Sequence, residues 1–481
     1  MKKLLNKFTI LIFLAAILGA GIRLYHIGFP VADWHSWRQA DTAAVARNFL
    51  KFGIDPLHPR YDDFSNIQSG KDNPQGWRMV ELPIYQLVAV GLYKAVPRFS
   101  IEVSLRIVSI LSTAGSIFLL GLLLWEFMGP WVGILGAFLY AVLPFSIYYG
   151  RAILPDPMGT FFALLSLCIL AVSERRSYRM WLTVLAGVAA AVSVLIRPME
   201  VFVLFPAIYL LVRNSSSIVK SFGRVLLYGI IMTVPLLWWR HWILQFPAGI
   251  PVSDWLYNKD NIRFKGAWFY WLFSQRLADL MLGYWGLIPF GLGIIASVRK
   301  KEGWFSGLWL LGGLLYLIVF AAGNVQHDYY QALIIPIVVW FTAKGTGFLL
   351  QKREGIRFIP SAALAVVSIA FLWAFSWYTI RTYFWINHPE IVEAGQTADK
   401  ILPKDAKVIT PYSGDTTFLY QTNRQGWPIG FEIDDKIKAG AQYYITVASL
   451  TTDFEARDLA RKYTVLVAND KFTIIDLTKL K

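Results

Sequence analysis

The chain is poor in charge, in cysteine and in histidine. Charged residues make up 16% of its 481 positions, where soluble domains carry about a quarter. Together with 56% hydrophobic residues and a positive mean hydropathy, that deficit excludes an ordinary soluble protein and implies a chain that crosses a membrane repeatedly. The single cysteine, Cys168, lies inside an apolar run, so no intrachain disulfide can form and a packing role is expected. No HExxH or CxxC pattern is present, no GxGxxG or Walker-type loop, and no internal repeat. Metalloprotease, nucleotide-loop and solenoid readings lose their usual support.

What is abundant is apolar and aromatic sequence, interrupted by basic loops. Runs of roughly the twenty residues needed to span a bilayer fall near 8–28, 104–125, 131–149, 157–173, 180–197, 199–213, 222–244, 284–298, 304–323, 331–350 and 358–380. Met1-Lys2-Lys3 ahead of the first run reads as an uncleaved signal anchor. A further stretch, 81–97, is short and carries Glu81, Gln86 and Lys94. The formal charge of +15 would suggest nucleic acid in a soluble chain; here it concentrates in loops around Arg175-Arg176, Arg213–Arg224, Arg299-Lys300-Lys301 and Lys352–Arg357. Positive loops stay on the cytoplasmic side. They do so together only with about eleven spans and with 81–97 lying as a re-entrant or interfacial helix on the outer side. The outer face then receives loops 29–103 and 246–283 and everything after residue 381. The expected division is a membrane domain, 1–381, and an extracytoplasmic α/β domain, 382–481. In that tail, helical patterns at Pro389–Leu402 and Asp453–Tyr463 alternate with strand patterns at Lys407–Thr410, Gln442–Val447, Thr464–Val467 and Phe472–Asp476.

The chemically capable side chains gather on the same outer side. The first outer loop holds Asp33-Trp34-His35-Ser36-Trp37-Arg38-Gln39-Ala40-Asp41-Thr42. A helical pattern begins at Thr42 and Gly53 stops it, so Asp41 is placed either as an N-cap or as a base presented at the membrane surface between sugar-binding aromatics. Asp156, before Pro157, reads as a helix start and also as a second functional acid, with Arg151 close enough to pair with it or to clamp a phosphate. His327, Tyr329 and Tyr330 stand at another span edge, where tyrosines are common as interface anchors. Arg78, Arg106, Arg197 and Arg276 are further cations for an anchored phosphate. Asp33, His35, Asp41, Asp62 and Asp63 show no tight metal spacing, so no metal or other cofactor is expected, a divalent ion being the weak alternative.

These residues, in this order, resemble a bacterial GT-C glycosyltransferase close to the protein O-mannosyltransferase and lipid A aminoarabinose transferase branch. The resemblance rests on Gln39-Ala40-Asp41-Thr42-Ala43 with Ala46-Arg47, on Glu81-Leu82-Pro83-Ile84-Tyr85, on Arg106, on Arg151 with Asp156-Pro157, and on His327-Asp328-Tyr329-Tyr330 before Pro336. It covers roughly residues 8–350. The chain departs from the branch where Thr42 replaces a second acid and where Met79-Val80-Glu81-Leu82-Pro83 lacks a lysine, which weighs against aminoarabinose as the sugar.

What the resemblance implies is a mainly α, polytopic enzyme of the bacterial inner membrane. It would take a sugar from a polyprenyl-phosphate-linked donor and pass it to a lipid, glycan or protein acceptor on the outer face, inverting the anomeric centre. Asp41 and Asp156 would be catalytic; Asp33, His35, Arg78, Glu81, Arg106, Arg151, Arg197, His327, Tyr329 and Tyr330 would bind substrate. Arg151 is the first candidate for the donor phosphate and Arg78 the next. The rival classes are a transporter or flippase of lipid-linked sugars, which requires ionisable groups in mid-span, and a non-catalytic membrane scaffold.

Overall fold

The computed structural model describes residues 7–175, 178–214, 217–296, 302–352 and 357–481. Residues 1–6, which open the run read as a signal anchor in the sequence, and parts of all four basic loops, Arg176, Arg299, Lys300, Lys301 and Arg353 among them, lie outside the described residues. The chain forms two compact units, one of residues 1–27, 106–240 and 253–383, the other of residues 28–105, 241–252 and 384–481.

Among its described residues the first unit has helices and no strand. Among the described residues, five helical segments are long and apolar enough to cross a membrane, beginning at Ile101, Asp156, Ile218, Asp328 and Phe358. Shorter apolar helices cover Pro130–Val142, Met180–Ile196 and Phe305–Val319. The eleven apolar runs of the sequence thus include several that fold as short or broken helices. The run 131–149 breaks at Leu143-Pro144 into Pro130–Val142 and Pro144–Tyr149, because proline removes a helical N–H and crowds the preceding turn. Carbonyls near that break are met by Arg23, fully buried, which donates to Tyr140 O (3.3 Å), Ala141 O (3.0 Å) and Ser146 Oγ (2.7 Å). An arginine at such depth is tolerated because both terminal nitrogens of its guanidinium find acceptors. Helix Leu287–Ile295 packs on Ile335–Leu349 through Gly293 and Gly345, where a Cβ on either would strike the facing backbone. Helices Ile218–Trp242 and Phe358–Ile380 leave Val234, Leu237 and Val366 more than half exposed, apolar surface suited to lipid rather than water.

The second unit is built on a five-stranded sheet, β1 (Lys407–Ile409), β2 (Gln425–Trp427), β3 (Tyr443–Thr446), β4 (Tyr463–Ala468) and β5 (Thr473–Leu480), in the order β2-β1-β3-β5-β4. The first three pair in parallel and β5 runs antiparallel to both β3 and β4. Alternation sends Val408, Ile445 and Ile474 to one face and Ile409, Tyr444 and Ile475 to the other. Helix Pro389–Ile401 covers the first face and Phe454–Lys462 the second. The four strand patterns of the tail all appear. Strand β2 escapes sequence reading because it is three residues long with a glycine at its centre, and Gly426 is needed where Val408 O approaches.

Residues 28–105 are not a separate loop but part of this unit. Ala32 enters one core and Phe64 the other. Phe64 N–H donates to Gly426 O and Gly426 N–H to Asp62 O, at 2.8 and 2.9 Å, extending the sheet past β2. The stretch 81–97 forms the helix Ile84–Ala95, twelve residues and too short to cross a bilayer.

Candidate functional site

Helix Ser36–Phe52 carries the acidic motif. It starts at Ser36, six residues earlier than the sequence pattern suggests, after His35, whose left-handed backbone (φ 52°) comes with no side-chain cap. Asp41 therefore lies within the helix, and the capping role considered for it does not hold. The polar residues Ser36, Arg38 and Gln39 hid the first turns from hydrophobic periodicity.

Freed from capping, the Asp41 carboxylate is 1% exposed and held from three directions. Thr416 Oγ1 donates to Oδ1 at 2.7 Å, Gln68 Nε2 donates to Oδ2 at 3.0 Å, and the Arg78 guanidinium pairs with Oδ2 at 3.0 Å. Arg78 also donates to Gln68 Oε1 and lies 5.1 Å from the Tyr61 ring. Asp63 stands close enough for the Asp41 charge to oppose its ionisation, but burial is the larger cause, and together they push its carboxyl up to about 7. The arrangement is a buried carboxylate beside a guanidinium, a pair able to take a proton and to steady a neighbouring anion.

The other candidates in this unit stand apart from that cluster. Asp33 Oδ1 accepts from Gln39 Nε2 at 2.7 Å, orienting the turn before the helix. Glu81 receives Arg38 at 3.0 Å in an ion pair with both side chains under 10% exposed. His35 lies edge-on to Trp34, centroids 5.1 Å apart. Arg47 binds Asp62 and stacks on Tyr420 at 3.9 Å.

The remaining candidates belong to the first unit. Asp156 opens helix Asp156–Arg175, and its ion-pair partner is Arg197 at 3.2 Å rather than Arg151. The turn Arg151–Pro155 carries Arg151 elsewhere, to donate to His26 O at 2.9 Å. Arg197 also lies 5.1 Å from the Tyr330 ring, and the nearby Glu200 accepts from Thr160 at 2.7 Å. A cavity of about 20 Å³, room for one water, is lined by Tyr140, Ser146, Tyr149, Asp156 and Thr160 among others. Among the described residues, Asp156 Oδ2 has no hydrogen-bond partner. His327, Tyr329 and Tyr330 stack in series, with 5.5 and 4.6 Å between successive centroids. Arg106 donates to Ile27 O at 2.8 Å.

Sequence reading missed Gln68 and Thr416, which nothing local marks; Thr416 is 375 residues from Asp41. It also passed over Asp328 in favour of its neighbours. Asp328 is 1% exposed, accepts from Tyr149 (2.5 Å) and Tyr383, and lies 3.9 Å from Arg276. Among the described residues, no group of three or more His, Cys, Asp or Glu could hold a metal ion.

In fold, the helical unit and the small mixed sheet follow the GT-C type of the solved membrane glycosyltransferases that the chain superposes on. In particular, the chain superposes on ArnT from Cupriavidus metallidurans. The TM-score is 0.65 over 97% of each chain, at 14% identity, for the form bound to undecaprenyl phosphate, and 0.64 at 13% identity for the apo form, over the same shares. The Archaeoglobus fulgidus oligosaccharyltransferase, tethered to an acceptor peptide containing the NVT sequon, matches with a TM-score of 0.57 at 10% identity, over 97% of this chain and 73% of that one. The family model described as dolichyl-phosphate-mannose-protein mannosyltransferase matches residues 92–239. By sequence alone, no curated protein matches the chain.

Proposed function

We propose that this protein is an integral-membrane glycosyltransferase that moves a sugar from a polyprenyl-phosphate-linked donor to a lipid, glycan or protein acceptor on the outer face of the membrane. The observation that carries the reading is the Asp41–Arg78 pair, a buried carboxylate and guanidinium 3.0 Å apart in a chain whose whole length follows the fold of a protein crystallised with undecaprenyl phosphate. Asp41 takes the proton of the acceptor hydroxyl as its oxygen attacks the anomeric carbon. The bond from that carbon to the phosphate oxygen breaks, and attack from the opposite face inverts the centre. The leaving group is already a phosphate, so it needs charge stabilisation rather than a proton, and Arg78 supplies it. Gln68 and Thr416 hold the base in place. Within the other unit, Asp156 orients Arg197.

The experiment is turnover by purified protein with a panel of radiolabelled polyprenyl-phosphate sugars and envelope acceptors. Transfer from at least one donor, with inverted configuration, is expected. Arg78→Ala, which removes the partner of Asp41, and Arg151→Ala, at the first arginine the sequence offers for the phosphate, are compared side by side, and the one that holds the phosphate should weaken donor binding more than acceptor binding. Unchanged donor affinity in Arg78→Ala would move the phosphate contact to another arginine.

A further inference from the structure

The site around Asp41 is closed in this structure. Its carboxylate is 1% exposed and accepts from Thr416, Gln68 and Arg78 together. A base must come within about 2.6–3.2 Å of the group whose proton it takes, and no acceptor hydroxyl can approach while all three partners stay. One of them has to leave.

The three are not equally fixed. Thr416 opens helix Thr416–Gln421, whose N-cap Asp415 accepts from Thr417 N–H at 2.7 Å. The backbone at Arg78 is pinned twice, by Arg78 N–H to Pro59 O and by Met79 N–H to Gly249 O, both at 2.8 Å. Gln68 instead sits on a surface excursion, residues 65–72, whose base is closed by Asn73 N–H donating to Phe64 O at 3.0 Å. Residues 66–72 are half-buried or exposed. Their turn is held by its own groups: Gly70, at φ 73°, donates its N–H to Asn66 O at 2.7 Å, and Ser69 Oγ donates to Lys71 O at 2.9 Å. Among the described residues, 66–72 hydrogen-bond outside the excursion through two groups. Gln68 O accepts from Val252 N–H at 2.8 Å, and the Gln68 amide reaches Asp41 and Arg78. The excursion can therefore lift while the pairing of Phe64 with Gly426 stays intact.

The Gln68 amide also presents the two ends that the reaction needs. Its Nε2 places an N–H on Asp41 Oδ2 at 3.0 Å, where the O–H of an acceptor has to stand. Its Oε1 accepts from Arg78, where a departing phosphate oxygen has to stand. A hydroxyl and an anionic oxygen make the same two bonds, so substrates can replace the amide without leaving either side chain unpaired.

We propose that Gln68 is a positioning residue that fills the substrate positions of the resting site, and that residues 65–72 are the lid that carries it away when acceptor and donor enter. That role rests on the transfer reaction proposed above. Apparent affinity is lowered by the fraction of protein in which such a lid is shut, so removing the amide strengthens binding, whereas removing a group that only steadied the base would not.

A reversible lock tests the lid. A Cβ on Gly414 would lie 3.9 Å from Ile67 Cβ, within the range of about 3.5–4.5 Å that a disulfide spans. Ile67→Cys/Gly414→Cys in a Cys168→Ser background is thus tied shut by diamide and released by dithiothreitol. Turnover in nanodiscs should fall about tenfold or more on oxidation and return on reduction. Separately, radiolabelled polyprenyl monophosphate should bind Gln68→Ala about fivefold more tightly than the parent, a gain lost in an Arg78→Ala background. This comparison stands by itself should the cysteine at Gly414, whose φ is 80°, prevent folding. Equal turnover of the locked and reduced forms, or no gain in affinity, would overturn the lid. A parent without turnover, in which Gln68→Ala still gains affinity, would refute only the proposed reaction; turnover indifferent to the lock would refute only the lid.

Discussion

Replacing Asp41 by asparagine separates chemistry from structure more sharply than any other change in this chain. Asparagine keeps the shape and can still accept from Thr416 Oγ1. Its amide nitrogen then faces two donors, Gln68 Nε2 and Arg78, where the carboxylate accepted both. Breaking a buried ion pair by removing one partner costs about 3–5 kcal/mol. Arg78 keeps Gln68 Oε1, so the loss should fall at the lower end, about 3 kcal/mol. The loss in turnover is at least as large: a positioned base contributes roughly 10²–10⁴-fold, about 3–5 kcal/mol of barrier. Adding Arg78→Gln removes the stranded cation, so the double variant should regain stability and regain no activity. Three measurements on one preparation decide it: thermal midpoint, donor affinity and turnover of radiolabelled donor. A folded Asp41→Asn protein that turns over within a few-fold of the parent would refute Asp41 as the base.

Three further outcomes are expected. Asp63 has its carboxyl raised to about 7 by burial, so the folded state resists an ionisation whose midpoint in the unfolded chain is near pH 4. The cost is absent below pH 4, grows between pH 4 and 7 and is constant above, reaching at most about 4 kcal/mol; Asp63→Asn should therefore stabilise the protein at pH 7–8 and not at pH 4, and a pH-independent difference in thermal midpoint would contradict this. Arg38→Met should cost about 3 kcal/mol by leaving Glu81 buried, and the Arg38→Met/Glu81→Leu pair should cost less, which unfolding midpoints of the three variants will show. For the proposed orientation, in a Cys168→Ser background, a cysteine at position 71 should react with an impermeant maleimide in intact cells and one at position 179 should not; the reverse pattern would invert the topology.

How much of this was legible beforehand depends on how local each signal is. The apolar runs and the scarcity of charge define a membrane protein without any structure, because transfer from water to lipid is decided residue by residue. The strands of the tail were legible for the same reason, Tyr443–Thr446 and Thr473–Leu480 having β-rich composition and alternation. Broken runs were harder: proline at 144 marks one break, but where a helix resumes depends on partners such as Arg23, more than a hundred residues away.

The identity of Asp41 as a polar residue of special interest was legible in the sequence, from its place after the first apolar run. Its surroundings were not. Thr416 reaches it only because the sheet carries the tail back against helix Ser36–Phe52, and Gln68 and Arg78 only because residues 62–64 pair with the edge of β2 and residues 73–76 fold back on them. The pairing of Asp156 with Arg197 instead of Arg151 likewise depends on where helix Met180–Ile196 ends. Sequence by itself determined which segments avoid water and which side chains are chemically able, since both are properties of single residues and short periods. Tertiary structure alone decided which of those side chains meet, because hydrogen bonds and ion pairs act over about 3 Å, a distance that spacing along a chain does not set.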